Sequence, residues 1–204
     1  MTAPSAPTPP PGSLLYVPSS YVDALPLAEM FPKAQPVELE LGAGDGSFLA
    51  LWASAHPERN FIGVERLLGR IRKLDRKGRR AALTNLRLIR LEAAYTLEYL
   101  IPHVSISALH IYFPDPWPKK KHRRHRLINQ RFPDVAKQAL VPGGVVHLRT
   151  DDADYFAQMQ EVFAARNDFK LVAPPAELNA VLTDFEREFN TKGIPTQRAS
   201  YRMA

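Results

Sequence analysis

From Val37 onward, short apolar segments typical of strands alternate with longer segments typical of helices, and this alternation limits the fold more than any other feature of the chain. Five strands are predicted, at Val37–Leu41, Asn60–Val64, Leu86–Arg90, Ala108–Phe113 and Val145–Arg149. Helices are predicted between and after them, at Ser47–Ala55, Leu67–Arg80, Leu127–Leu140 and Ala153–Ala165. This order predicts a doubly wound α/β fold with a mostly parallel sheet, in which ligands bind beyond the carboxyl ends of the strands.

Length and local composition predict a single domain that follows a disordered tail. The chain has 204 residues, enough for one well-cored domain and too few for two of ordinary size. Residues 1–18 are rich in Pro, Ser and Ala, and such a stretch cannot bury enough apolar surface to offset the entropy of ordering it. We therefore predict a disordered tail over residues 1–18 and one domain over residues 19–204.

Composition also excludes several classes of function. The chain has no cysteine, which excludes a disulfide framework, a cysteine-ligated zinc and a thiol nucleophile. No apolar run approaches the length of a membrane span, and the N-terminus lacks the layout of a secretory signal. The expectation is a soluble, cytoplasmic protein without a structural metal, either a monomer or a homodimer.

A glycine-rich loop follows the first predicted strand and has the pattern Glu-x-Gly-x-Gly-x-Gly, from Glu40 to Gly46. Glycines at Gly42 and Gly44 let the backbone turn tightly and approach a ligand closely. The third glycine falls two residues after the second, so the Gly-x-Gly-x-x-Gly fingerprint of nicotinamide dinucleotide sites is not met. The carboxylate of Glu40 suits the ammonium group of a methionine moiety and is poorly suited to a pyrophosphate.

Two further acids lie where the next two strands end. Glu65 ends the second strand, about twenty residues past the glycine loop, where a carboxylate can accept both hydroxyls of a ribose. Glu92 follows the third strand, where an acceptor could bind the amino group of adenine. Acids at three successive strand ends are typical of class I methyltransferases that use S-adenosyl-L-methionine.

The fourth strand ends in Phe113–Trp117, whose two prolines hold Asp115 rigidly and whose Trp117 offers a flat apolar face for a base. Basic residues follow at once: Lys119–Arg131 contains seven Lys or Arg and no acid. A second basic run, Arg66–Arg80, has eight Lys or Arg and one acid. With a net charge of +6, these runs favour a polyanionic partner, although a charge run can also be a solvated face.

The segment FPDPWPKKKH, residues 113–122, resembles the signature of the bacterial tRNA (guanine-N7)-methyltransferases, and the resemblance extends from about Val37 to the C-terminus. It implies a Rossmann-like, seven-stranded sheet, S-adenosyl-L-methionine as cofactor and the variable-loop guanine at tRNA position 46 as substrate. The implied site residues are as follows: Glu40, Gly42, Gly44, Glu65 and Glu92 for the cofactor, Asp115 for the cofactor and catalysis, and Lys119, Asp151, Thr183, Asp184, Phe185 and Glu186 for the substrate.

The chemistry that this resemblance implies needs no general base, because guanine N7 carries a lone pair and no proton. Carboxylates near the base could stabilise the cation that forms, a role predicted for Asp151 and Glu186. The segment Thr183–Glu186 also has the spacing of a helix capping box, and the two roles are compatible. Two alternatives are a methyltransferase acting on another RNA site and a non-catalytic RNA-binding protein with a vestigial fold.

Overall fold

The framework of the protein is one seven-stranded sheet, seen in a computed structural model that describes residues 12–204. The strands are β1 (Val37–Leu41), β2 (Asn60–Val64), β3 (Leu86–Ile89), β4 (Ile106–Tyr112), β5 (Leu140–Thr150), β6 (Phe169–Val172) and β7 (Gln197–Met203). Their order across the sheet is β3-β2-β1-β4-β5-β7-β6, and β7 alone runs in the direction opposite to the other six. The predicted doubly wound, mostly parallel, seven-stranded sheet is confirmed.

Helices connect the strands and cover both faces of the sheet. They are α1 (Leu27–Met30), α2 (Leu49–Ala55), α3 (Leu68–Arg80), α4 (Ala93–Tyr95), α5 (Phe132–Ala139), α6 (Ala153–Ala164), α7 (Ala176–Ala180) and α8 (Asp184–Thr191). A π-helical turn, Thr96–Leu100, continues α4, and a 3₁₀ helix, Lys120–His125, follows β4.

Two predicted boundaries were wrong around the fifth helix. The helix predicted from Leu127 begins only at Phe132, with Pro133 in its first turn, where the missing N–H of a proline costs nothing. The fifth strand begins at Leu140 rather than Val145, because Leu140 already pairs with Ile106 of β4. The residues between Leu140 and Val145 form an irregularity in that pairing, with Gly143 at a φ of 78°.

The two faces of the sheet differ in chemistry. One face buries apolar side chains of the strands, such as Leu39, Leu109 and Val146, against α5 and α6. On the other face, Phe61 and Leu86 pack against α2 and α3, but the neighbouring strands β1, β4 and β5 bury polar side chains there instead. The buried polar residues on these three strands are Glu38, Glu40, His110, His147 and Arg149.

Two of these polar groups, Glu38 and His110, are paired with each other. Oε2 of Glu38 accepts a hydrogen bond from Nε1 of Trp52 and lies 2.8 Å from Nε2 of His110, and Oε1 accepts from Arg59. The remaining ring nitrogen of His110 lies 2.8 Å from the hydroxyl of Tyr112. Although burial acts to raise it, these partners lower the pKa of Glu38 to about 2. The negative charge of Glu38 is therefore stabilised by partners within the fold.

The N-terminal segment departs from the predicted tail. Residues 1–11 lie outside the described part of the chain, but residues 13–16 run beside β3: the N–H of Leu88 donates to the carbonyl of Leu14, and that of Tyr16 to the carbonyl of Leu88. The side chain of Leu14 is buried, and its N–H donates to Oδ1 of the buried Asp75 (2.8 Å). The predicted tail boundary at residue 18 is thus too late, because an apolar side chain and a sheet edge order this segment.

Replacing Asp75 by Ala should destabilise the protein by about 1–3 kcal/mol, because the buried N–H of Leu14 loses its acceptor. Urea unfolding measures this loss. The matched control is Arg79→Ala, which removes only the half-exposed ionic partner of Asp75 and should cost less than about 1 kcal/mol. An Asp75→Ala protein as stable as wild type would show that the N-terminal segment is not held through Asp75.

Candidate active site

Two adjoining cavities lie at the carboxyl ends of β1, β2 and β4. The larger has a volume of about 480 Å³ and is called here the large crevice; the smaller, of about 270 Å³, is the small crevice. The two cavities share six lining residues: Gly42, Gly44, Arg70, Tyr112, Phe113 and Phe185. They are therefore two parts of one site, on either side of the glycine loop.

The glycine loop has the conformation that its sequence requires. Gly42, Gly44 and Gly46 have φ values of 82°, 56° and 75°, a region that side chains with a Cβ avoid. The third glycine is also needed sterically, since a Cβ on Gly46 would lie 2.0 Å from Cδ1 of Leu74. The N–H of Gly42 donates to the carbonyl of Val64, which fixes the loop over the end of β2.

Glu65 and Glu92 line the large crevice and also hold its walls. One oxygen of Glu65 accepts from the N–H of Gly44 (3.1 Å) and the other from the N–H of Leu67 (2.7 Å), so this carboxylate joins the glycine loop to the start of α3. Glu92 caps α4, accepting from the N–H groups of Ala94 and Tyr95. Each carboxylate oxygen has a second lone pair, so both acids can also accept from a ligand in the crevice.

Glu40 lines the small crevice and differs from every other acid of the site. It is buried, and its Oε2 has no hydrogen-bond partner among residues 12–204. Burial raises the pKa of Glu40 to about 8, against the opposing charge of Arg149 and with the help of the negative charges of Glu65 and Asp45. A buried carboxyl with an unsatisfied oxygen is suited to a cationic ligand, which would supply the hydrogen bond and whose charge would favour the ionised carboxylate.

The turn that follows β4 is strained. Phe113 and Trp117 have φ values of 51° and 44°, which cost bulky residues roughly 1–2 kcal/mol each. Between them, Asp115 is exposed and lines the large crevice together with Trp117. The ring of Trp117 lies 5.1 Å from that of His125. Strain of this kind in bulky residues is typical of functional sites, where the surrounding structure holds a chosen geometry.

The segment from Thr183 forms the far wall of both crevices. Thr183 caps α8, and its hydroxyl and the side chain of Glu186 make the reciprocal bonds of a capping box, which confirms that prediction. Thr183 and Asp184 line the small crevice. Phe185 lines both crevices, has 43% of its surface exposed, and packs 5.7 Å from the ring of Phe113.

Glu186 lines neither crevice, and the substrate contact expected of it stays a prediction. Its side chain is 0% exposed. One oxygen accepts from Arg149 (2.8 Å) and from the N–H of Thr183 (2.8 Å), and the other accepts from Arg198 (2.7 Å). Because charged partners on β5 and β7 occupy this carboxylate, its role in the fold is to hold α8 against the sheet.

The structure therefore divides the predicted site residues into two groups. The crevices are lined by Glu40, Gly42, Gly44, Glu65, Glu92, Asp115, Thr183, Asp184 and Phe185. Outside both cavities lie Lys119, Asp151 and Glu186. Lys119 is an exposed residue before the 3₁₀ helix, and Asp151 is a half-buried residue just after β5.

Sequence reasoning missed two residues of the site. Tyr112 lines both crevices, with its hydroxyl directed to His110 and its ring 4.3 Å from the guanidinium carbon of Arg149. Arg149 was assigned only as the end of a strand. The signal that could have found them is their spacing, since His110 and Tyr112 are two residues apart on β4, and His147 and Arg149 are two apart on β5. Side chains at such a spacing share one face.

Basic residues lie in the crevices and close to them in the chain. Ile71, Leu74 and Gly78 of α3 are buried, so the helix turns its basic residues outward. Among these, Arg70 lines both crevices, and Arg66, just before the helix, lines the large one. In the run Lys119–Arg131, which begins two residues after Trp117, the exposed Lys and Arg residues are Lys119, Lys120, Lys121, Arg124 and Arg131.

Two searches of the described residues, 12–204, found nothing. No group of three or more His, Asp or Glu residues in this range is arranged to hold a metal ion. In the same range, none of the helices has the length and apolar character of a membrane span.

Known proteins resemble this chain in sequence and in fold. A family model described as "Putative methyltransferase" matches residues 34–199. The chain is 36% identical to the tRNA (guanine-N(7)-)-methyltransferase of Halorhodospira halophila over 181 residues, 85% of this chain and 78% of that relative. It is 34% identical to the protein of the same name from Alkalilimnicola ehrlichii, over 83% of this chain and 72% of the relative. Among solved structures, the 16S rRNA methyltransferase KamB shares the fold, with a TM-score of 0.62 at 15% identity over 87% of this chain and 92% of that one.

In the ligand-free protein, Glu40→Gln should remove a dependence of stability on pH. The pKa of Glu40 in the fold, about 8, is above its unfolded value, so its contribution to stability is complete below the unfolded pKa and is lost as pH rises through about 8. From about pH 5 to about pH 9, urea unfolding should show wild type losing stability relative to Glu40→Gln, by an amount on the order of a few kcal/mol. Parallel profiles would mean that Glu40 is ionised in the fold.

Glu186→Ala should cost about 3–5 kcal/mol of stability, because it leaves the buried guanidinium of Arg149 without its countercharge. Glu188→Ala is the matched control on the same helix: Glu188 is exposed and pairs with the exposed Lys192, so its removal should cost less than about 1 kcal/mol. Denaturant unfolding of both variants tests this difference. Equal stabilities would show that the pair of Glu186 with Arg149 does not hold the fold.

Proposed function

The chain belongs to the tRNA (guanine-N(7)-)-methyltransferase family, and we propose from this premise that it transfers a methyl group from S-adenosyl-L-methionine to N7 of the variable-loop guanine in tRNA. One observation carries the proposal at the level of the site. The rigid turn with Asp115 and Trp117 faces the same crevice as Glu65 and Glu92, beside a buried acid that lacks a partner. The groups that we propose for cofactor and substrate therefore lie in two adjoining parts of one site.

The residues present fit S-adenosyl-L-methionine. The unpartnered Oε2 of Glu40 in the small crevice would accept from the ammonium group of the cofactor. In the large crevice, Glu65 would accept from ribose hydroxyls, and Glu92 from the adenine amino group. Gly42 and Gly44 leave room for a close approach of the backbone. When bound, the cofactor supplies a methyl group attached to a sulfonium sulfur.

The substrate side is supported by charge and by aromatic surface. Arg66 and Arg70 line the large crevice, and the segment Lys119–Arg124 follows directly on Trp117, which also lines it; cations so placed would bind the phosphates of tRNA near the reacting base. Trp117 offers a ring on which a base turned out of its stack could lie. Lys119 and Asp151 are proposed to contact the tRNA outside the cavity.

Catalysis by these residues consists of placing groups rather than moving protons. Guanine N7 has a lone pair and no proton to remove, so no side chain has to act as a general base. Orientation of the reacting atoms can supply about 7–11 kcal/mol. Asp115, on a turn stiffened by two prolines, would fix the base, and its carboxylate would stabilise the positive charge that the guanine ring gains.

Methyl transfer to unmodified tRNA tests the proposal. Wild-type protein with cofactor labelled in the methyl group should label tRNA, and cleavage at N7-methylguanine should map the label to the variable loop. Asp115→Asn should lower turnover by about 100-fold or more at unchanged stability, as expected for the loss of a group that stabilises transition-state charge. Asp23→Asn, an exposed acid outside both crevices, is the matched control.

Each outcome of this experiment is decisive. Label at another position would favour a methyltransferase for a different RNA site, and no label would favour an RNA-binding protein with a vestigial fold. Full turnover in Asp115→Asn would remove Asp115 from the catalytic residues.

A further inference from the structure

Arg126 belongs by sequence to the basic run Lys119–Arg131, but its side chain is buried and points into the protein. Its Nε donates to the carbonyl oxygen of Pro116 (2.7 Å). One terminal nitrogen donates to Gln158 (2.8 Å) and the other to Asp154 (2.6 Å). Each of the three guanidinium nitrogens thus donates to a protein group, and because the side chain is buried, a phosphate of a polyanion cannot reach it.

The anchor of this arrangement is the helix α6. Asp154, Tyr155 and Gln158 follow one another on a single side of α6, and the guanidinium carbon of Arg126 lies 4.7 Å from the centre of the Tyr155 ring. The hydroxyl of Tyr155 in turn accepts from the N–H of Ile128 (2.8 Å). The segment after the 3₁₀ helix is therefore fastened to α6 at two places, by a side chain and by the backbone.

The carbonyl group that Arg126 binds directly precedes Trp117, one of the two strained residues of the turn. The φ angle of Trp117, 44°, is the rotation about the bond that follows the peptide between Pro116 and Trp117. Holding that peptide in place therefore restrains this angle. At the other end of the turn, the N–H of the equally strained Phe113 donates to the carbonyl of Arg149. The intervening prolines have no N–H with which to hold the turn. An unfastened turn would relax towards ordinary φ values.

We propose that Arg126 is a positioning residue of the methyl-transfer site, which holds the strained Phe113–Trp117 turn so that Asp115 and Trp117 face the large crevice. The inference rests on the proposed function for the reaction that it serves. One cation of the basic run is thereby given a role other than RNA binding. Arg126 acts on turnover through the turn and makes no contribution to the binding of tRNA phosphates. Exposed Arg124, two residues earlier, is the natural contrast.

The test combines turnover, tRNA affinity and the accessibility of Trp117. Arg126→Lys keeps the charge but loses the planar fork, so it cannot bind Pro116, Asp154 and Gln158 together. Turnover at saturating tRNA should fall by on the order of 10²-fold, as expected when reacting groups are misplaced by about 1 Å. The salt dependence of tRNA binding should not change. Arg124→Ala should instead weaken tRNA binding and reduce the salt slope by about 1.

Acrylamide quenching reports on the turn directly. The chain has two tryptophans, of which Trp52 is 2% exposed and Trp117 is 36% exposed, so quenching is dominated by Trp117. Arg126→Lys should increase quenching, and so should the milder variants Gln158→Ala and Asp154→Asn, each of which loosens one side of the guanidinium. Across the series, turnover should fall as quenching rises. If Arg126→Lys does not fold, the two milder variants decide the matter alone.

Three results would overturn the proposal: unchanged turnover in a folded Arg126→Lys, a loss of turnover without any change in quenching, or a salt slope reduced as in Arg124→Ala. The last would make Arg126 a tRNA contact. Failure of the proposed function is distinguishable from all of these, because wild-type protein would then show no turnover on tRNA while the quenching series still reported on the turn.

Discussion

The buried ion pair between Arg149 and Glu186 is the interaction on which the shape of the site depends. Arg149 lies one residue before the end of β5, and besides Glu186 it donates to the carbonyls of Leu178, within α7, and Val181, just beyond it. One guanidinium thus fixes α7, the start of α8 and the sheet with respect to one another. The residues that form the far wall of both crevices, from Thr183 to Phe185, lie between these attachment points.

The polar half of the sheet shows how the same residue type acquires two different roles. Glu38 and Glu40 lie two residues apart on one face of β1, and both are buried. Glu38 is surrounded by donors and has a pKa of about 2, whereas Glu40 keeps an unsatisfied oxygen and has a pKa of about 8. Burial costs both carboxylates solvation, and only the supply of partners differs. The acid without a partner is the one at the crevice, where a ligand can provide what the fold does not.

Sequence was sufficient wherever the information is local. The strand–helix alternation, the glycine loop with its left-handed φ values and the capping box at Thr183 depend on residues close together in the chain, and each is found as predicted. Sequence was insufficient where a distant partner decides. The residues next to Leu14 in the sequence do not indicate that Asp75 will accept its N–H. Those next to Glu186 do not indicate that Arg149 and Arg198 will donate to its carboxylate. Such pairings are products of the tertiary fold.

Arg126 and Arg149 together explain how a crevice with a strained wall stays in one shape. Both are buried arginines that join a carboxylate to backbone carbonyls, a combination suited to the planar, five-donor guanidinium and poorly suited to lysine. One holds the Phe113–Trp117 turn and the other holds the entry to α8, so they act on the two segments whose rings, Phe113 and Phe185, meet over the site. Burial thus separates the cations of this chain into two groups: exposed cations are available to the proposed tRNA, while buried arginines set the geometry of the site.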